Sequence, residues 1–260
     1  MAAIRGLLID IEGVLKVGTS AIDGAPEALD ELRRRALPVR FVTNTTSRTR
    51  ASLVEVLGSL GFEVVADELV TAPAATAAYL RSHHPGERVY LVSDGDVVAD
   101  LDGIDVTADT GADAQVVVIG GAGPAFTWER LNHAFGLLDG GAAFVAMHKG
   151  SSWQTDDGLA LDSGAFVTGL ESVTGREATV MGKPSPTFFA TALDELGLDA
   201  GEVAMVGDDI RSDVLAAQAN GLVGIQVRTG KFRESQLDEV DEAPDHVIDS
   251  FADLPALLDG

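Results

Sequence analysis

Short apolar runs and longer amphipathic stretches alternate along nearly the whole chain. The runs IRGLLID (4–10), PVRFVTN (38–44), RVYLVSD (88–94), AQVVVIGG (114–121), AAFVAMH (142–148), GEVAMVGDD (201–209) and GLVGIQVRTG (221–230) have apolar centres and end in polar residues or glycine. Such runs predict strands buried on both faces of a parallel sheet. Between them, GAPEALDELRRRA (24–36) predicts a helix with Pro26 in its first turn. SRTRASLVEVLGSLG (47–61) predicts a second that stops at Gly61, and SDVLAAQANG (212–221) a third. The fold class expected is α/β, Rossmann-like.

Three polar clusters fall at predicted strand ends: Asp10 to Glu12, Thr43 to Asn44, and Asp208 to Asp213. Open α/β sheets bind ligands at the carboxyl ends of their strands, so the three are expected to share one sheet and one site. Residues 73–179 carry a strand–helix alternation of their own. They are expected to form a second α/β domain inserted into the first, which then comprises 1–72 and 180–260.

Composition narrows the chemistry. Of 260 residues 46% are apolar, enough for a large core. Cysteine is absent, which removes disulfides, thiolate metal sites and cysteine nucleophiles. No apolar run approaches the roughly 20 residues of a membrane helix. The N-terminal MAAIRGLLID lacks the long apolar core of a signal peptide, so a cytoplasmic protein is expected. Asp and Glu number 41 against 18 Lys and Arg, a net charge of −23, and lysine is scarce. A field of that sign repels nucleic acid and anionic membranes, and neither is expected as a partner. It also repels phosphate, so a phosphorylated ligand needs local help from a metal, a positioned lysine or helix N-termini.

Each cluster admits two readings. Residues i and i+2 of an extended chain point the same way, so Asp10 and Glu12 can reach one centre. One carboxylate can then be a nucleophile and the other a general acid and base; the alternative is a surface turn at Gly13. Thr43 and Asn44 can donate to phosphoryl oxygens without adding charge, or serve with Thr45, Thr46 or Ser47 to cap the following helix. Lys183, in MGKPSP, can neutralise a carboxylate or a phosphate, or be an ordinary surface lysine. Asp208 and Asp209, after a buried strand, suit a hard cation such as Mg2+, and Asp213 can join them or favour a helix N-terminus.

Taken in order, D-x-E-G-V, V-T-N, G-K-P and V-G-D-D-x-x-x-D resemble the four motifs of the haloacid dehalogenase superfamily. The segment AMHKGSSWQTDDGLALDSGAFVTGLE resembles the cap of its subfamily IIA. That subfamily includes N-acetylglucosamine-operon phosphatases, 4-nitrophenyl phosphatases and phospholysine phosphohistidine inorganic pyrophosphate phosphatases. The resemblance implies a catalytic core with an inserted α/β cap of the larger (C2) type, and a Mg2+-dependent phosphatase acting on a small phosphorylated substrate. It implies Asp10 as the nucleophile that forms an aspartyl-phosphate, and position 12 as acid/base, its backbone carbonyl ligating Mg2+. Thr43, Asn44 and Lys183 then hold the phosphoryl group and Asp208 the metal, which Asp209 and Asp213 support directly or through water. In the cap, His148 and Lys149 become candidate substrate contacts and Trp153 a candidate stacking residue, and the cap becomes a candidate homodimer contact. GGAGP (120–124) lacks the Lys-Ser/Thr ending of a P-loop and reads as a turn.

The chain departs from the resemblance at Glu12, where the family's phosphatases usually carry Asp. Glutamate keeps a similar intrinsic acidity, roughly 4.3 against 3.9. It adds one methylene, about 1.5 Å, and one more rotor to fix. A misplacement of that order costs on the order of 100-fold in rate. Three outcomes follow: a working acid/base in a wider pocket, a poor one, or a protein that binds without turning over. A carbon–halogen hydrolase on the same scaffold is a further alternative, which the acidic fourth motif disfavours because that chemistry needs no Mg2+.

Overall fold

A computed structural model describes residues 4–155 and 158–259. Walking along the chain, the strands are β1 (Gly6–Asp10), β2 (Lys16–Val17), β3 (Ser20–Ala21), β4 (Val39–Thr43) and β5 (Leu69–Thr71). Then come β6 (Val89–Val92), β7 (Val106–Thr107), β8 (Val116–Ile119), β9 (Ala143–Ala146), β10 (Ser152–Thr155), β11 (Gly158–Leu161) and β12 (Thr179–Val180). The last are β13 (Val203–Gly207), β14 (Val223–Val227) and β15 (His246–Ile248). Strands β1, β4, β6, β8, β9, β13 and β14 lie where apolar runs predict them. The two-residue strands, the three-residue β5 and β15, and the hairpin β10–β11 are too short or too polar to stand out by periodicity.

The chain forms two compact units. One comprises Met1–Thr43, Ala51–Val70 and Lys183–Gly260; the other comprises Asn44–Arg50 and Thr71–Gly182. The first is built on a six-stranded sheet of order β15-β14-β13-β1-β4-β5. β1 pairs in parallel with β13 and β4, and β14 in parallel with β13 and β15. All five residues of β1 and of β13 are buried, as central strands covered on both faces must be. Leu7, Ile9, Phe41, Val206 and Ile225 join the core of this unit with Leu29 and Leu32 of helix α1 (Ala25–Arg34). Pro26 sits in the first turn of α1, and Arg33 and Arg34 in its last turn oppose the helix dipole.

The second unit has a five-stranded sheet of order β12-β9-β8-β6-β7, its pairings parallel. Its core gathers Tyr90, Val117, Ile119, Phe144 and Val167. Among the described residues no helix is long and apolar enough to cross a membrane.

One predicted element differs in form. The stretch 212–221 begins not as an α-helix but as a π-helical turn, Ile210–Leu215, before the short helix Ala216–Ala219. The cause is local. The Asp209 carboxylate accepts the backbone N–H groups of Arg211 and Ser212, and the Asp209 carbonyl takes those of Asp213 and Val214. The capping acid is therefore Asp209, which leaves the Asp213 carboxylate to point elsewhere.

Candidate active site

The carboxyl ends of β1 and β13 are neighbours because β1 pairs with β13 in register from Gly6 to Ile9. Asp10 closes β1 and Asp208 follows β13, so strand pairing alone brings two acids side by side. The wide turn after Asp209 adds a third, Asp213. One carboxylate oxygen from each of Asp10, Asp208 and Asp213 lies within 4.8 Å of the others, and all three residues are buried. Lys183 enters among them. Its Nζ donates to Asp10 Oδ1 at 2.7 Å and pairs with Asp213 Oδ1 at 2.8 Å, and the residue is only 4% exposed.

Charge explains the arrangement. Burial alone would push the Lys183 ammonium down, but Asp10 and Asp213 outweigh it and hold the group above the ordinary lysine range. Burial, with repulsion from Asp10 and Asp209, raises the Asp213 carboxyl in spite of Lys183. Among the described residues no cationic side chain pairs with the Asp208 carboxylate as Lys183 does with Asp10 and Asp213. Burial first, then Asp10 and Asp213, push its carboxyl up to about 8. Its Oδ1 is buried without a hydrogen-bond partner among the described residues. A buried carboxylate oxygen left bare beside two further acids is costly unless a cation completes it. An all-oxygen cluster of this kind suits a hard divalent cation, so the residues present fit such an ion.

The chain supports Asp208 with residues that the motifs did not single out. Gln226, fully buried on β14, donates through Nε2 to the Asp208 carbonyl at 2.8 Å. The backbone N–H of Lys231 donates to Asp208 Oδ2 at 2.7 Å. The Lys231 Nζ stands 3.8 Å from Asp209 Oδ2; partial desolvation pulls the ammonium down, but Asp208, Asp209, Asp213 and Asp10 together hold it above the ordinary lysine range. Asp209 is held below the ordinary carboxylate range: burial opposes this, but the N–H groups of Ser212 and Arg211 and the charge of Lys231 outweigh it. The available signal for Lys231 was the scarcity of lysine; for Gln226 there was none.

Two glycines make the close approach. Gly13 has φ +83° and Gly230 φ +62°, and a Cβ on either would overlap the Asp208 carboxylate. Thr229 Oγ1 donates to the Gly13 carbonyl at 2.5 Å, tying the two loops together. Gly13→Ala is expected to cost about 2 kcal/mol or more, from the left-handed backbone plus displacement of Asp208. Urea denaturation checks the stability loss.

The remaining candidates are placed as follows. Both oxygens of the exposed Glu12 carboxylate are engaged: Oε2 pairs with Lys16 Nζ, and Oε1 accepts the Gly18 N–H at 2.8 Å. Thr43 ends β4 and is buried. Asn44 is the first residue of the second unit, where a Cβ at Gly182 would overlap its Oδ1. The first N–H of helix α2 (Arg50–Ser59) donates to the Asp100 carboxylate at 3.0 Å. His148 is buried, and its Nδ1 accepts the Gly150 N–H at 3.2 Å. Lys149 Nζ donates to Glu171 Oε2 at 2.5 Å. The side chain of Trp153 lies outside the described residues.

A parallel α/β sheet that gathers a lysine-bridged carboxylate cluster at its strand ends defines a Rossmann-like class with a cation-seeking acidic site. Comparison with known proteins agrees. Residues 7–107 match the family described as haloacid dehalogenase-like hydrolase, and residues 180–254 the related HAD-hydrolase-like family. The chain is 41% identical over 249 residues to haloacid dehalogenase-like hydrolase domain-containing protein 2 of Bos taurus, covering 96% of this chain and 93% of that one. It is 40% identical over 264 residues to phospholysine phosphohistidine inorganic pyrophosphate phosphatase of the same species, covering 99% and 95%. Among solved structures, p-nitrophenyl phosphatase from Archaeoglobus fulgidus superposes with a TM-score of 0.91 at 31% identity, covering 98% of this chain and 99% of that chain. The chain belongs to the haloacid dehalogenase-like hydrolases, in the subfamily its motifs resemble.

Proposed function

We propose that this hydrolase is a Mg2+-dependent phosphatase that cleaves small phosphomonoesters through a phosphoryl group carried transiently on Asp10. The observation that carries the reading is the buried Asp10–Lys183–Asp213 bridge beside the bare Asp208 oxygen. The phosphatases among the similar proteins support the same reaction class.

Lys183 holds Asp10 in one orientation through Oδ1, so the carboxylate is pre-positioned for in-line attack. The attack forms a bond from an Asp10 oxygen to phosphorus and breaks the bond to the leaving oxygen, which takes its proton from Glu12. In the second half, water attacks the same phosphorus and gives its proton to Glu12; the bond to Asp10 breaks and inorganic phosphate leaves. Thr43, at the end of β4, is assigned to donate to a phosphoryl oxygen. Asp10 and Asp208, with the carbonyl of residue 12, are assigned to hold the ion, and Asp213 to support it while retaining Lys183. Bound Mg2+ supplies positive charge that offsets these acids and stabilises charge on the transferring phosphoryl group.

Four aspartates against Lys183 and Lys231 would otherwise repel a phosphate, so activity is expected to depend strictly on the ion. Hydrolysis of 4-nitrophenyl phosphate should appear with Mg2+ and vanish with EDTA. Absence of release under both conditions, with a phosphorylated Asp10 trapped instead, would show that Glu12 does not complete the second half. Release of halide from a 2-haloacid without Mg2+ would overturn the phosphatase reading. The proposal extends to a cytoplasmic location and to a homodimer through the second unit, which light scattering on the purified protein checks.

A further inference from the structure

The segment after β1 is wound into a tight turn. The N–H groups of Leu15 and Lys16 donate to the Ile11 carbonyl at 3.0 and 3.2 Å, and the Gly13 N–H donates to the Lys16 carbonyl at 2.7 Å. That winding places Lys16 beside Glu12. The hairpin β2–β3 follows, with Gly18 at φ +58° in its turn. Lys16 Nζ pairs with Glu12 Oε2 and also donates to the Gly18 carbonyl at 2.9 Å, while the Gly18 N–H takes Glu12 Oε1. Three groups thus close a ring around the carboxylate. The Lys16 side chain is 12% exposed against 49% for Glu12, so the lysine stem packs while the acid faces outward.

We propose that Lys16 is a positioning residue for Glu12, fixing a carboxylate one methylene longer than aspartate. Glutamate has a free rotor that aspartate lacks, and an acid/base that samples several rotamers delivers its proton less often. The ammonium fixes one oxygen and the Gly18 N–H the other, so the whole carboxylate plane is set. Lysine suits the place because one ammonium serves both Glu12 and the Gly18 carbonyl, locking the acid to the hairpin that carries it. The role is separate from that of Lys183, which holds the nucleophile. It rests on the reading of Glu12 as acid/base given above.

The test is a double-mutant cycle with 4-nitrophenyl phosphate and saturating Mg2+. Lys16→Met should lower kcat by roughly tenfold or more with KM changed less than about twofold, and Lys16→Arg should recover most of the loss. Lys16→Gln, which keeps a donor toward Gly18 without the charge, should fall between them. In a Glu12→Asp background, Lys16→Met should cost less than about threefold, because the shorter acid has no extra rotor to fix. Wild-type kcat in Lys16→Met and Lys16→Gln overturns the proposal. So does an equal loss in both backgrounds, which would mean that Lys16 serves the hairpin and not the acid. Glu12→Gln separates the two levels: wild-type kcat there removes Glu12 as acid/base and the Lys16 role with it. Loss in Glu12→Gln without loss in the lysine variants removes only the Lys16 role.

Discussion

Asp10→Asn should lower the turnover of 4-nitrophenyl phosphate by on the order of 10⁴-fold or more while the protein stays folded. The loss is large because the amide cannot form the bond to phosphorus. Residual hydrolysis then needs direct attack by water, assisted only by the positioning and charge of the remaining groups. The fold should survive because the substitution removes one of several mutually repelling buried acids. The Asn oxygen can still accept from Lys183, which keeps its partner Asp213. Thermal unfolding should therefore stay within a few degrees of wild type, and a single stopped-point assay should separate the two proteins. Rapid quench with radiolabelled phosphate substrate should find acid-stable phosphoprotein in the wild type and none in the variant. Full activity in the purified variant would remove Asp10 as nucleophile and, with it, the proposed reaction course.

Much of this site is legible in the sequence because strand geometry does the assembling. Asp10 and Asp208 each end a fully buried run, and parallel pairing of β1 with β13 makes two positions some two hundred residues apart into neighbours. Lys183 was legible by its place after a short apolar stretch and by its company, not by any local pattern. What the sequence hid was directional. Asp209 and Asp213 read alike as acids after a strand, yet one caps the π-helical turn and the other faces Lys183. Only the helix phase decides between them, and a π turn does not follow the α-helical period. Glu12 is similar. Its spacing from Asp10 says that both side chains leave the same face of an extended chain. But β1 stops at Asp10, and the chain turns at once through Gly13, so the direction of the Glu12 carboxylate is set by its bonds to Lys16 and Gly18 and not by strand alternation. The short strands β5 and β15 escaped because three residues cannot show a period.

The metal-free protein should lose stability as pH rises, and Mg2+ should restore it. Asp208 sets the sign. Its carboxyl lies near 8 in the folded chain against an ordinary value of 3.8, chiefly through burial and then through Asp10 and Asp213. Between these limits the folded state keeps a proton that the unfolded state has lost, so the stability tied to this group is full below about pH 4 and falls as pH rises toward 8. A bound divalent cation replaces the proton and lets Asp208 ionise without penalty, so its stabilising effect should grow across the same window. With Mg2+ about a hundredfold above its dissociation constant, roughly 2.7 kcal/mol is gained, or roughly 5–10 °C in Tm for a chain of this size. Asp208→Asn should cancel both behaviours. The amide cannot ionise, and an NH2 where Oδ1 now stands unpartnered can donate toward the neighbouring acids. The variant should melt a few degrees above wild type at pH 8 in EDTA, respond little to Mg2+, and turn over poorly. Differential scanning calorimetry at pH 5, 6.5 and 8, with and without Mg2+, reads all of these at once. A Mg2+ effect as large at pH 5 as at pH 8, or unchanged in Asp208→Asn, would mean that the ion binds somewhere other than this cluster.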